Sequence, residues 1–203
     1  AQFLLNKTAF LELPDVGLPL VEIKEEPIFV EMDAQHKADY ISFHERLEKE
    51  CKIRSMFGGK GVWSKFIPAT INYADRPDME NPVIFGSKEN IAKVEGTRYS
   101  ENYYHAKERK LVSLVKENLS EGRGVIIYNN YTSKFGLNER IRDVLKAHGI
   151  GNVRILKEPD PMKRQQVLEQ YAEQGVEVII CNMKLVEVGL DLLTWPTIIF
   201  YQL

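Results

Sequence analysis

The sequence predicts an α/β fold in three layers, a parallel sheet with helices on both faces, preceded by an extension of strand and helix. Three features of the chain do so. First, Val178-Ile179-Ile180-Cys181 and Thr197-Ile198-Ile199-Phe200-Tyr201 are short, β-branched, nearly continuous apolar runs, the pattern of strands covered on both faces of a parallel sheet. Second, helical and strand patterns alternate from about residue 99 onward, which builds right-handed crossovers between parallel strands. Third, glycines stand where helices must stop, at Gly122, Gly149 and Gly175. Folds of this class hold ligands above the carboxyl ends of the strands. Chemistry is therefore expected between Asn182 and Pro196, on the loop carrying Gly189-Leu190-Asp191-Leu192.

The chain has 203 residues, of which 44% are hydrophobic, enough for a sizeable core. A net charge of -2 excludes a globally basic nucleic-acid binder but leaves room for a local basic strip. The two cysteines, Cys51 and Cys181, sit far apart in unlike contexts, so reduced core thiols and a cytoplasmic or nuclear home, not a secreted one, are expected. No apolar run reaches the roughly 20 residues a membrane helix needs, so no membrane partner is expected. The chain starts with Ala1 and its last strand stops at Leu203, which points to a piece of a longer polypeptide.

Residues 1 to about 32 are strand-prone and interrupted by Pro14, Pro19 and Pro27, as a hairpin or extended arm would be. Asp33 then offers an N-cap to a helix reaching about Arg54, with Tyr40, Phe43, Leu47 and Cys51 on one face. Its polar face carries His36, Lys37, Arg46, Lys49 and Lys52 among balancing glutamates. Phe57-Gly58-Gly59-Lys60-Gly61 lacks the spacing of a phosphate loop and reads as a turn. A short helix from Trp63 to Tyr73 and a small hairpin around Val83-Ile84-Phe85 are expected within an otherwise irregular stretch, from about 57 to 98. Residues 1–98 thus form an extension with an irregular insertion, and 99–203 the sheet domain.

Within that domain Leu111, Leu114, Val115 and Leu119 line one helical face, and Gly124 to Asn129 is a buried strand. Leu137, Ile141, Val144 and Leu145 make the next helix, and Val153-Arg154-Ile155-Leu156 the next strand. Asp160-Pro161 is a cap followed by a first-turn proline, opening a helix through Val167, Leu168 and Tyr171.

Four blocks carry a further signal. The helix around Ala106-Lys107-Glu108-Arg109-Lys110-Leu111 leads into Gly124-Val125-Ile126-Ile127-Tyr128-Asn129-Asn130-Tyr131-Thr132; Met162 to Tyr171 has an Arg, Arg164, opening a helix that ends in an aromatic. Val178 to Leu192 contains a basic residue, Lys184, and Gly189-Leu190-Asp191-Leu192, and Trp195-Pro196-Thr197-Ile198-Ile199-Phe200-Tyr201 closes the series. In this order and spacing the blocks resemble the second RecA-like domain of superfamily-two helicases, most closely the Swi/Snf-type DNA translocases. Val186-Glu187 departs from the family, which usually places a glycine pair before the glycine matched by Gly189.

The resemblance implies a motor half that shares ATP and Mg2+ with an N-terminal RecA-like domain of the same parent chain and tracks the backbone of duplex DNA without reading its sequence. It implies no complete catalytic site within this chain and no metal ligands of its own. Asp191 would face the nucleotide's ribose, and Gly189 would let the backbone approach; a cap or simple turn is the alternative for both. Asn129, Asn130, Thr132, Asn182 and Lys184 would meet phosphates, with capping, turn or exposed-surface roles as alternatives. Arg164 fits either a nucleic-acid contact or a salt bridge on the first helical turns. The competing functional class is a non-catalytic nucleic-acid or protein-binding module on a degenerate helicase-like fold, and Val186-Glu187 motivates it.

Overall fold

A computed structural model of the chain describes residues 24–59, 61–77, 83–85, 92–97, 99–100, 102–130, 136–186 and 190–202. The expected arm before residue 24 lies outside the described residues apart from 24–33, which form no regular element. Among the described residues, five α-helices and two sheets follow. In chain order they are α1 (Ala34–Met56), a 3-10 turn (Val62–Lys65), α2 (Phe66–Asp75), β1 (Val83–Phe85), β2 (Ala92–Val94), α3 (Ala106–Ser120) and β3 (Val125–Asn129). Then come α4 (Leu137–Ala147), β4 (Val153–Ile155), α5 (Pro161–Glu173), β5 (Val178–Asn182) and β6 (Thr197–Phe200).

The larger sheet has the order β4-β5-β3-β6 and every neighbouring pair is parallel, with Val125 opposite Val178 and Thr197, and Val153 opposite Val178. Successive side chains of a strand point to opposite faces. Val125, Ile127, Val178 and Ile180 therefore join Leu111 and Val115 of α3 and Leu137, Ile141, Val144 and Leu145 of α4 in one core. Ile126, Tyr128, Ile179 and Cys181 join Leu168 of α5 and Trp195 in another. Helices cover both faces, and the expected three layers are present.

Helix ends follow the sequence. Asp160 accepts a hydrogen bond from the Met162 amide, Pro161 opens α5, and Gly122, Gly149 and Gly175 adopt the left-handed backbone expected after a helix. Gly124 answers a different demand: a Cβ there would lie 2.5 Å from the Thr194 carbonyl oxygen and 2.7 Å from the Trp195 ring. Trp195, 2% exposed, is fixed by its indole N–H donating to the Val176 carbonyl at 2.8 Å.

β6 corrects one expectation. Its sequence reads as a strand covered on both faces, yet among the described residues it pairs only with β3, and Ile198 and Phe200 are exposed. It is an edge strand, and its continuous apolar run does not distinguish an edge from a centre.

The expected short helix and hairpin are both present, and they build a second, smaller core. Phe43, Leu47 and Cys51 of α1 pack with Val62, Ala69, Tyr73, Phe85 and Val94, and the Phe43 and Tyr73 rings stack 4.4 Å apart. Two details of α1 differ from expectation. His36, assigned to the polar face, is buried at 1% exposure against Tyr73, Tyr99 and His105. Asp33 occupies the N-cap position but makes no cap for α1. Its carboxylate instead reaches α3, accepting from the Ala106 amide at 3.1 Å and the Arg109 guanidinium at 2.6 Å. A free amide at one helix start is answered from another helix because the two starts are packed together.

That junction joins the helical unit to the sheet. The Asp75 carboxylate, 2% exposed, accepts from Lys107 Nζ at 2.6 Å and from Gln202 Nε2 at 2.6 Å. His105 donates through Nε2 to the Asp75 carbonyl at 3.1 Å, and Glu108 accepts from Arg140 at 2.7 and 3.0 Å. Gln202 lies just past the end of β6, and Arg140 lies in the first turn of the helix after β3. The helical unit is therefore fastened at the carboxyl edge of the sheet.

Burial, with His36 beside it and Arg140 nearby, pushes the His105 imidazole down to about 4, while the Asp75 carbonyl and carboxylate pull weakly the other way. Burial lowers His36 as well. A histidine held neutral by the fold binds fewer protons than it does in the unfolded chain, so its contribution is complete above about 6.5 and fades as pH falls towards 4. Stability is expected to drop by on the order of 2 kcal/mol from this group across that window, with the carboxylates held below their ordinary range adding to the loss below about pH 5. Urea titrations from pH 7 to pH 4 check this, and His105→Gln should flatten the slope.

Candidate functional site at the strand tips

The loops after β3 and β5 meet above the carboxyl edge. β5 ends in Asn182, whose two amide atoms are both engaged: Nδ2 donates to the Asn130 carbonyl at 2.9 Å, and Oδ1 accepts from the Lys184 amide at 2.9 Å. The first bond ties the two strand ends together. The second closes a turn, Met183–Leu185, that leaves the Lys184 side chain exposed. An Asn is well suited here because one side chain both donates and accepts.

The first turn of α5 secures the far part of this loop. The Arg164 guanidinium donates to the carbonyls of Glu158 at 2.9 Å, Pro159 at 2.7 Å and Leu185 at 3.1 Å. Among the described residues it makes no salt bridge, because three backbone carbonyls take its donors. Next to it, Gln165 Oε1 accepts from the Asp191 amide at 2.9 Å. Asp191 is exposed; its Oδ1 accepts from the Leu193 amide at 3.0 Å, and its Oδ2 has no hydrogen bond among the described residues. One carboxylate oxygen is fixed by a turn and the other is open to a hydroxyl donor.

Three of the expected residues thus lie together at the crest, Asn130, Asn182 and Lys184, while Asp191 lies farther along the same loop, tied to α5 through Gln165. Asn129 does not join them. It is fully buried, and its Nδ2 donates to Asn138 Oδ1 at 2.8 Å, which ties β3 to α4. The strand's last residue points inward because burial continues to the strand end, where the polar loop had suggested an outward side chain. Gly189 and Thr132 lie outside the described residues. Gln165 is a further member of the site, and an uncharged side chain on a solvated helix face carries no sequence signal for that role. Among the described residues no cluster of three or more His, Cys, Asp or Glu could hold a metal ion, and no helix is long and apolar enough to cross a membrane.

Four parallel strands, helices on both faces and polar loops over the strand tips define a RecA-like α/β domain. The solved structure of the Sulfolobus solfataricus SWI2/SNF2 ATPase C-terminal domain is similar to this chain, with a TM-score of 0.57 and 16% sequence identity, over 86% of this chain and 70% of that one. The fold is therefore that of a Swi/Snf-type ATPase C-terminal domain, as the order of the sequence blocks implied. No family model matches the sequence, and no curated protein matches it.

Proposed function

We propose that the chain is the second motor domain of an ATP-dependent DNA helicase or translocase. It works against an N-terminal RecA-like domain of the same parent polypeptide, and ATP binds between the two. The observation that supports this most is the convergence of Asn130, Asn182 and Lys184 above β3 and β5, with Asp191 on the same loop held by Gln165 of α5, on a fold of that class. The nucleotide supplies the hydrolysable phosphate bond whose state opens or closes the cleft. The open Asp191 Oδ2 fits a ribose hydroxyl as an acceptor. With no metal cluster among the described residues, Mg2+ in this reading is carried by the nucleotide's phosphates and the partner lobe.

The chain's own part is positional. Arg164 and Gln165 hold the crest loop at Leu185 and Asp191, and both sit on one turn of α5, so a shift of that helix moves the nucleotide-facing and phosphate-facing parts of the loop together. Lys184 and the amides around it would meet backbone phosphates, contacts that position a duplex without reading bases. The non-catalytic alternative keeps the same crest but gives it no nucleotide partner; Val186-Glu187, in place of a glycine pair, is what favours it.

Titrating the isotopically labelled chain with a short DNA duplex tests the crest. Backbone signals of Asn130, Asn182, Lys184 and Leu185 are expected to move. Shifts confined to the opposite edge, around Gly151 and Gly175, would overturn the assignment.

A further inference from the structure

The helical unit carries a second concavity, distinct from the crest. α1 and β2 border an open groove of about 260 Å³ lined by Arg46, Lys49, Glu50, Ile53, Lys93 and Val94. Arg46, Lys49 and Ile53 follow one another at helical spacing, and Lys93 faces them from the hairpin. Cations three residues apart on a helix stand roughly 5–6 Å from each other. Their mutual repulsion is ordinarily relieved by carboxylates, and elsewhere on α1 it is: Lys52 pairs with Glu48 and Arg54 with Glu50, each at 2.6 Å. Glu50, the carboxylate in the groove wall, is thereby already engaged. Arg46 donates through Nε to the Ser42 carbonyl of its own helix, and neither it nor Lys49 or Lys93 has an ion pair among the described residues.

We propose that this groove binds the phosphates of a nucleic-acid backbone, an inference that rests on the chain being a DNA-tracking domain and adds a contact away from its crest. The lining decides the class of ligand. Three cations on two walls suit successive phosphates of a strand, whereas Ile53 and Val94 offer only apolar floor for the lysine and arginine stems. Among the described residues no aromatic ring lines the groove for a base to stack on, and its volume is below that of ordinary small-molecule pockets, so neither a base nor a free nucleotide fits the pattern. Position agrees. The helical unit is fastened at the carboxyl edge of the sheet, and Arg46 lies 13 residues along α1 from Asp33, about 20 Å by helical rise, so a duplex lying across the crest can extend to the groove.

The test is fluorescence anisotropy with a short labelled DNA duplex across a salt series. It uses the unaltered chain, the triple variant Arg46→Gln, Lys49→Gln, Lys93→Gln, and the crest variant Lys184→Ala, with a thermal melt of each. Three phosphate contacts predict that the triple variant weakens binding by about tenfold or more near 100 mM salt and flattens the slope of log affinity against log salt by about 2.7. Because the three side chains are exposed, the melt is expected not to move. Unchanged affinity and slope in the triple variant would overturn the groove, and loss in Lys184→Ala in the same series would leave the crest reading standing. Absence of duplex binding by the unaltered chain overturns it too. So would equal competition by inorganic phosphate, which marks a small-anion site, or by poly-glutamate, which marks an acidic protein partner.

Discussion

Replacing Glu108 with Ala is expected to destabilise the protein by about 3–5 kcal/mol, the range for removing one partner of a buried ion pair. Glu108 is 1% exposed and serves three donors. It accepts from the Arg140 Nε and Nη2 atoms at 2.7 and 3.0 Å and from the His105 backbone amide at 3.2 Å. Removing the carboxylate takes away the acceptor of two Arg140 N–H groups, on a side chain only 15% exposed, and the acceptor of the His105 amide at the start of α3. The loss also spreads along the junction. Asp33, Asp75 and Gln202 depend on the same alignment of α3 with the helical unit and the end of β6. Urea denaturation should show a lower midpoint with an unchanged slope. Glu108→Gln, which keeps the acceptor oxygen, should lose clearly less, whereas a loss below about 1 kcal/mol for the alanine variant would show that the pair does not hold the junction.

Periodicity carried the elements. The apolar face of α1 at Phe43, Leu47 and Cys51, that of α4 at Leu137, Ile141, Val144 and Leu145, and the Asp160-Pro161 start of α5 are decided by neighbours within a few residues, so they are legible in the chain itself. What the sequence left dark depends on partners distant along the chain. Asp33 has every local mark of a cap for its own helix, yet its carboxylate serves a helix that begins more than 70 residues later, as the Ala106 contact shows. His36 is polar and flanked by a lysine, and only the fold reveals that Tyr99 and His105 close over it.

The crest divides along the same line. Asn182 ends a strand and Asp191 lies in the loop that follows it, places where short polar side chains close turns, and both do so. Arg164 was recognisable as important but not in its role, because the three carbonyls that occupy it are backbone atoms and leave no signature in side-chain identity. Asn129 is buried away from the crest for the converse reason. Its identity suits a loop, but its place is the last buried rung of β3, opposite Asn182 of β5.

The central claim, that the strand-tip loop faces a nucleotide shared with a partner lobe, is tested most directly by the rate of ATP hydrolysis of the parent polypeptide carrying both lobes. The rate is measured with and without duplex DNA, for the unaltered protein and for Asp191→Ala. Loss of one charged hydrogen bond to the nucleotide predicts a DNA-stimulated rate about 10- to 100-fold lower in the variant. Asp191 is exposed, and among the described residues its side chain accepts only from the Leu193 amide while its own amide donates to Gln165 Oε1, a bond that alanine keeps, so the thermal melt should stay close to that of the unaltered protein. DNA stimulation that survives Asp191→Ala at full strength would contradict the claim.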